Sequence, residues 1–447
     1  RTYSYNAFGE LLSETNPDST TTNYIYDPIG RMVRRTDDDG TTLWIYDNQI
    51  KGFLSHLQYT PTDDNAPNVV ENYSYDRLGR LRNHTQSLEG KPNLSLSYDY
   101  NEWGLQNFIT YPTGYKVAYK YDYNGFVTSV ENALTEDVVW KAESMDKFGN
   151  VTNFTLGDNL SVSNSYNNIT GLIENQSAER IGDYVVTKIQ DIDYSWDNKG
   201  NLTSRQSIIG LQENFQYDNF NRLTKAITNG RTYSITYSNL GNILNKTSIG
   251  NMYYNNNNPY ALVKVIDISD LSLFNEEQNI TYNSFNKVSS IEQGVRKMDV
   301  YYDGGRQRVY QHTSYEGLSN TKTKRYFTNL YEEESLGGIV KKYHYLTSPS
   351  GLFAIFVTHN DTSTMSYVLK DHLGSMYATV TNGSVDYYSF DAWGRERNPN
   401  TFLYDNVPSH SFSRGFCMHE HYRDFGLINM NGRMSAPLVA ECSRQIL

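Results

Sequence analysis

Tyr26-Asp27-Pro28-Ile29-Gly30-Arg31 and Tyr75-Asp76-Arg77-Leu78-Gly79-Arg80 are two copies of one phrase. It runs aromatic, acid or amide, two free positions, glycine, then a basic or amide residue. Looser copies are Tyr100-Asn101 with Gly104, Tyr121-Asp122 with Gly125, Trp196-Asp197 with Gly200, and Tyr237-Ser238 with Gly241. Tyr217-Asp218 and Tyr282-Asn283 carry Asn221 and Asn286 in the glycine position, and Met145 leads a copy with Asp146 and Gly149. The lead positions 75, 100, 121, 145, 166, 196, 217, 237, 282 and 302 are mostly 20 to 25 residues apart, and the gap of 45 spans about two units. A fixed period of this size marks an array of stacked units that share one core.

Each unit reads as β-structure. Asn72-Tyr73-Ser74-Tyr75, Lys120 to Tyr123 and Ile235-Thr236-Tyr237 alternate aromatic or β-branched residues with polar ones, as a strand with two unlike faces does. The acid or amide can accept hydrogen bonds from backbone amides two residues on, and glycine supplies positive φ without steric cost. A second strand then starts, as in Asn201 to Ser204 and Arg222 to Lys225. About 21 residues hold two strands of about six and two short turns. The expected fold is therefore all-β, a long antiparallel hairpin meander. Accumulated strand twist forces such a sheet to coil or close. A propeller fits less well, because its blades need four strands and about 40 residues.

The chain has 447 residues with 39 tyrosines, 39 Lys plus Arg, 50 Asp plus Glu, and a formal charge of −11. An acidic chain without long basic runs is a poor partner for nucleic acid. Thr321 to Arg325 (TKTKR) is the densest basic cluster and reads as a solvated loop, as do Glu332-Glu333-Glu334. Cys417 and Cys442 form no framework, and no run of apolar residues is long enough to span a membrane. The chain opens at Arg1 inside a repeat-like phrase, so an upstream start and export signal are expected, with an open sheet edge near residues 1 to 10. The wall is expected to be polar on both surfaces, without a compact apolar core.

This pattern resembles that of the Rhs/YD-repeat family, which includes bacterial Rhs polymorphic toxins, Tc-toxin C components, wall-associated proteins and teneurins. Lys370 to Ser375 (KDHLGS), Tyr387 to Arg397 (YYSFDAWGRER) and Gly415 to Arg433 are similar to consecutive blocks of the RHS-repeat-associated core. Asp371, His372, Gly374, Asp391, Gly394 and Arg395 carry that likeness. The resemblance implies a cocoon-like hollow shell over 1–325, closed by an associated core over 326–434, with a divergent tail over 435–447. It further implies that bacterial members hold a C-terminal toxin domain inside and free it by cleavage after the core.

The tail departs from the family. After Asn431-Gly432-Arg433, the usual tyrosine and aspartate are Ser435 and Ala436, the glycine is Ala440, and a second Asp-Pro falls on Ile446-Leu447. Arg433 alone is a vestige of the processing site, because no carboxylate stands beside it to move a proton. Asp371 and Asp424 are the remaining candidates. Asp371-His372 otherwise reads as a turn with a structural histidine. His419-Glu420-His421 lacks the spacing of a zinc motif, and Asp37-Asp38-Asp39-Gly40 and Asp63-Asp64-Asn65 read as acidic turns rather than calcium loops.

No metal or cofactor is expected. The leading expectation is a secreted or surface-exposed container wall, whose partners are a toxin cargo or upstream repeats, with an immunity protein or receptor beyond. An adhesion or carbohydrate-recognition module is the alternative, and a self-cleaving aspartyl protease core is disfavoured.

Overall fold

The computed structural model describes the chain apart from residues 183, 248, 255–261, 267–275, 318–320 and 444–447. Asp27 organises its own turn. Its Oδ1 accepts from the amides of Ile29 (3.1 Å) and Arg31 (2.9 Å), and its Oδ2 takes Nε of Arg31 at 2.7 Å. Gly30 sits at φ +82°, and a bulge between Ile25 and Tyr26 precedes the turn. Asp76, Asp122, Asp146, Asp197 and Asp218 hold the same pair of amides. Gly79, Gly125 and Gly200 share the left-handed backbone with Asn221 and Asn286, the two residues that replace glycine.

Neighbouring units are fastened in both directions. The lead aromatic reaches back to a backbone carbonyl of the preceding unit: Tyr75 to Leu54 (3.0 Å), Tyr100 to Leu81 (2.8 Å), Tyr121 to Gln106 (2.6 Å), Trp196 to Ile173 (2.7 Å) and Tyr217 to Leu202 (2.8 Å). The basic residue reaches forward: Arg31, Arg80 and Arg222 lie 4.4, 4.4 and 4.5 Å over the rings of Tyr46, Tyr100 and Tyr237. Tyr46-Asp47 is a further unit that the sequence reading misses. Its glycine, Gly52, follows the aspartate by five residues instead of three, and its amide donates to Asp47 Oδ1, where the regular glycines donate to the aspartate's backbone carbonyl.

Among the described residues, 24 strands from Thr2–Tyr5 to Leu262–Ile266 form one antiparallel sheet. Eleven more, from Gln278–Tyr282 to Ser384–Tyr387, form a second meander, and four short strands between Glu420–Tyr422 and Glu441–Ser443 a third. Among the described residues, helix is confined to single 3-10 turns at Phe416–Met418 and Arg423–Phe425. The first sheet does not close: Thr2–Tyr5 pairs with Leu11–Thr15 alone and is exposed along its length.

The second meander lies along one face of the first, in nearly the same chain order. Arg35 donates to the carbonyl of Gly304, Gln86 to Tyr326, Tyr111 to Tyr345 and Gln190 to Lys370. Farther on, Arg397 binds Glu213 and Lys246 binds the Leu438 carbonyl. Between the layers Trp140, Leu156 and Leu160 pack with Phe327, Leu346, Phe353 and Ala354. The opposite face of the second meander, with Tyr345, Ile355 and Val368, is covered by Tyr388, Phe390 and Phe412. The expectation of a polar lining without an apolar core is therefore overturned here. A sheet buried on both faces has no wet side, so its strands read as continuous apolar runs such as Leu352 to Val357.

Candidate functional site

The associated-core motifs turn out to be repeat turns in another setting. Asp371 Oδ1 accepts from the amides of Leu373 (2.9 Å) and Ser375 (2.8 Å), and Asp391 Oδ1 from Trp393 (2.8 Å) and Arg395 (3.0 Å). Gly374 and Gly394 stand at φ +76° and +90°. The second oxygen of Asp371 faces Arg205 at 3.7 Å, and that of Asp391 accepts the Tyr404 hydroxyl at 2.9 Å. The Arg395 guanidinium lies 3.9 Å over the Tyr404 ring. His372 donates its backbone amide to the Tyr194 hydroxyl and packs its ring on Tyr194 and Trp196. Burial pushes its pKa down to about 4, so the ring is neutral, and Nδ1 has no hydrogen-bond partner.

A buried clamp joins the segment around Phe390–Arg397 to the first sheet. Glu213 receives both guanidinium nitrogens of Arg397 (2.7 and 2.6 Å), Nε of Arg205 (2.6 Å) and the Thr228 hydroxyl (2.8 Å). Burial alone would raise its pKa, but Arg205 and Arg397 outweigh that and hold it at about 2. Arg205 also donates to the Phe390 carbonyl.

A second buried network lies where two solvated loops are expected from sequence. Lys322–Phe327 and Tyr331–Leu336 are paired strands, and Lys324, Arg325 and Glu332 are each 2–3 % exposed. Lys324 binds Glu332 at 2.8 Å and Glu420 at 2.6 Å; Arg414 binds Glu332 at 2.5 Å; Arg308 binds Glu420 at 2.6 Å. The hydroxyls of Tyr345 and Tyr326 complete the shells of Glu332 and Glu420. Arg325 instead caps Gln86 of the first sheet. Burial opposes ionisation of both glutamates, yet Lys324 and Arg414 hold Glu332 below the usual range, and Arg308 and Lys324 hold Glu420 well below it. With every carboxylate oxygen engaged, the network is a fastening rather than a proton donor. Its sequence signal is a basic run (321–325) and an acidic run (332–334) separated by six residues, the spacing of a hairpin that sets opposite charges across from one another.

The candidate processing residues are not assembled with one another. Arg433 is exposed in a bend, and no hydrogen bond or ion pair among the described residues joins its side chain to Asp371 or Asp424. Asp424, also exposed, accepts the Tyr315 hydroxyl at 3.0 Å. Met434–Ala436 continues the small sheet, so Ser435 and Ala436 lie in a strand, and Lys246 holds the carbonyls of Pro437 (3.1 Å) and Leu438 (2.6 Å). Ile446-Leu447 lie outside the described residues. Of His419-Glu420-His421, Glu420 belongs to the ionic network and His421 accepts the Phe416 amide. Among the described residues no group of three or more His, Cys, Asp or Glu could hold a metal ion, and no helix is long and apolar enough to cross a membrane.

Comparison with known proteins defines the class. The RHS repeat family matches residues 5–42 and the teneurin YD-shell family residues 62–133. A search of curated proteins found no match. Among solved structures, TcdB2-TccC3-Cdc42 and TcdB2-TccC3 each superpose with a TM-score of 0.74 at 13% identity over 98% of this chain. TcdB2-TccC3 without its hypervariable C-terminal region gives 0.73 at 14%. The chain thus carries RHS/YD-type repeats over residues 5–42 and 62–133 and has the fold of a YD-repeat shell. It spans 27% of the length of those solved chains.

Proposed function

We propose that this chain is a length of the wall of a secreted bacterial container protein that encloses or presents a C-terminal toxin domain. The observation that carries this reading is the layered pinning of the core against the repeat sheet, through Glu213 with Arg205 and Arg397 and through Lys246 with the tail carbonyls. Such pinning gives a wall that holds its own terminal segment in place. The likeness to TcdB2-TccC3 shells supports it. In this reading the shell spans 1–325, the associated core 326–434 and the tail 435–447, with upstream repeats, an immunity protein or a cell-surface receptor as further partners. In the natural full-length product, a domain following the core should resist added protease while the wall is folded. Digestion at the rate of the free domain would overturn the proposal.

The match to the teneurin YD-shell over 62–133 favours a second reading, a cell-surface recognition module. Binding of the purified chain to intact cells, with no protection of a passenger, would select it.

We further read the chain as non-enzymatic. Asp371 is committed to its turn and to Arg205, and Asp424 to Tyr315, so neither stands ready beside Arg433. The expressed chain should keep its full mass through purification. A shorter species accumulating at a rate independent of concentration, without added protease, would revive self-cleavage.

A further inference from the structure

Lys370 occupies the place that the repeats give to their lead aromatic. It ends the strand Thr362–Lys370, follows a bulge between Leu369 and Lys370, and precedes the turn aspartate. Where tyrosines donate a hydroxyl to a neighbouring carbonyl, Lys370 donates its ammonium to the carbonyl of Ser350. The nitrogen packs against the backbone of Gly351, where an added Cβ would lie 3.0 Å away. It forms no ion pair among the described residues, and burial alone pushes its pKa down to about 8. A desolvated ammonium with one carbonyl partner has two donor hydrogens left.

Lys370 and Ser350 line a cavity of about 470 Å3 between the turn 371–374 and the strands Val151–Leu156, Leu160–Tyr166 and Val186–Trp196. That volume suits a small organic ligand. Trp196, Tyr166 and Phe154 supply aromatic surface, and His372, with its unpartnered Nδ1, lines the same space. Asp371 is the one carboxylate on the wall, and its oxygens are already taken by turn amides and by Arg205.

We propose that this cavity binds a small organic acid, whose single carboxylate pairs with the Lys370 ammonium while its body lies against Trp196 and Tyr166. A dianion such as phosphate is disfavoured, since one cation beside Asp371 would leave charge uncompensated. The shared chemistry is the monocarboxylate; an aromatic acid and a sugar acid are its two sources.

Calorimetry on the whole chain at pH 7 tests this with 4-hydroxyphenylacetate and glucuronate, each against its neutral counterpart, the amide and glucose. One acid should bind saturably, at least about 10-fold more tightly than its neutral counterpart, and the acid that does so identifies the body recognised. Lys370→Met should lose that preference while its thermal midpoint without ligand stays equal to wild type or rises, because an uncompensated buried charge is removed. Absence of binding by either acid, equal binding of acid and neutral compound, or unchanged binding by Lys370→Met would each overturn the proposal. The comparison of acid with neutral compound needs only the wild-type chain, so it decides even if the variant misfolds.

Discussion

A valine at Gly79 would have to adopt φ +78°, a region that β-branched residues almost never enter, and its Cβ would meet Cζ of Phe53 at 2.6 Å. Gly79→Val should cost about 1–3 kcal/mol from backbone strain alone, with the clash adding to it. Asn83→Ala, on the adjoining strand, loses hydrogen bonds to Ser74 and Ser97 at a half-buried site and should cost about 1 kcal/mol. Urea denaturation compares the two, and coincident midpoints would refute the left-handed turn. This level of detail is legible in sequence because the turn is local. Aspartate, two residues and glycine contain both the acceptor and the backbone freedom the reversal needs.

At the scale of elements, charge on paired strands behaves according to what covers it. Lys324→Met would leave Glu332 and Glu420 short of a buried counter-ion and should destabilise by about 3–5 kcal/mol. Lys120→Met removes an exposed partner 3.6 Å from Glu131 and should change stability by less than about 1 kcal/mol. Thermal or chemical denaturation of the two variants gives the comparison, and similar small losses would mean that the Lys324 network is not closed to water. Both lysines lie on strands, and nothing within either strand tells them apart. The difference comes from Arg414 and Glu420, which the chain brings in from far along its length.

At the scale of the molecule, acid should loosen the layers. Burial holds His344, His372 and His421 near a pKa of about 4, against about 6.5 in the unfolded chain. Between those values the unfolded state binds more protons, so this stability is complete above about pH 6.5 and is lost as pH falls toward 4. Asp303 works the other way: burial and Glu71 raise it to about 7, so protonation favours the folded state below that pH. Three histidines outweigh one aspartate, and stability should fall by roughly 3 kcal/mol from pH 7 to pH 5. Asp303→Asn should steepen the fall; denaturation at pH 7, 6 and 5 that showed no loss would contradict the buried neutral histidines. The open edge makes a separate prediction. Thr2–Tyr5 offers unpaired backbone with Tyr3 and Tyr5 half exposed, so the chain should associate as its concentration rises, and Ser4→Pro should suppress this. Sedimentation showing a strict monomer at high concentration would count against it.

The sequence by itself determined the repeated hairpin, the places where it reverses and the all-β meander, because each depends on contacts within about 25 residues. It also singled out the segments around Asp371 and Asp391, though not that both carry the repeat turn. Only the tertiary structure decided that the second meander covers the first, that Lys324, Arg325 and Glu332 are buried, and that Glu213 clamps Arg205 to Arg397. Those outcomes join residues between 80 and 270 positions apart. Burial of a charge is set by which partners and which apolar layer close over it, and short-range pattern carries no record of that. The cavity beside Lys370 likewise joins residues far apart in the chain, Lys370 with strands between Val151 and Trp196.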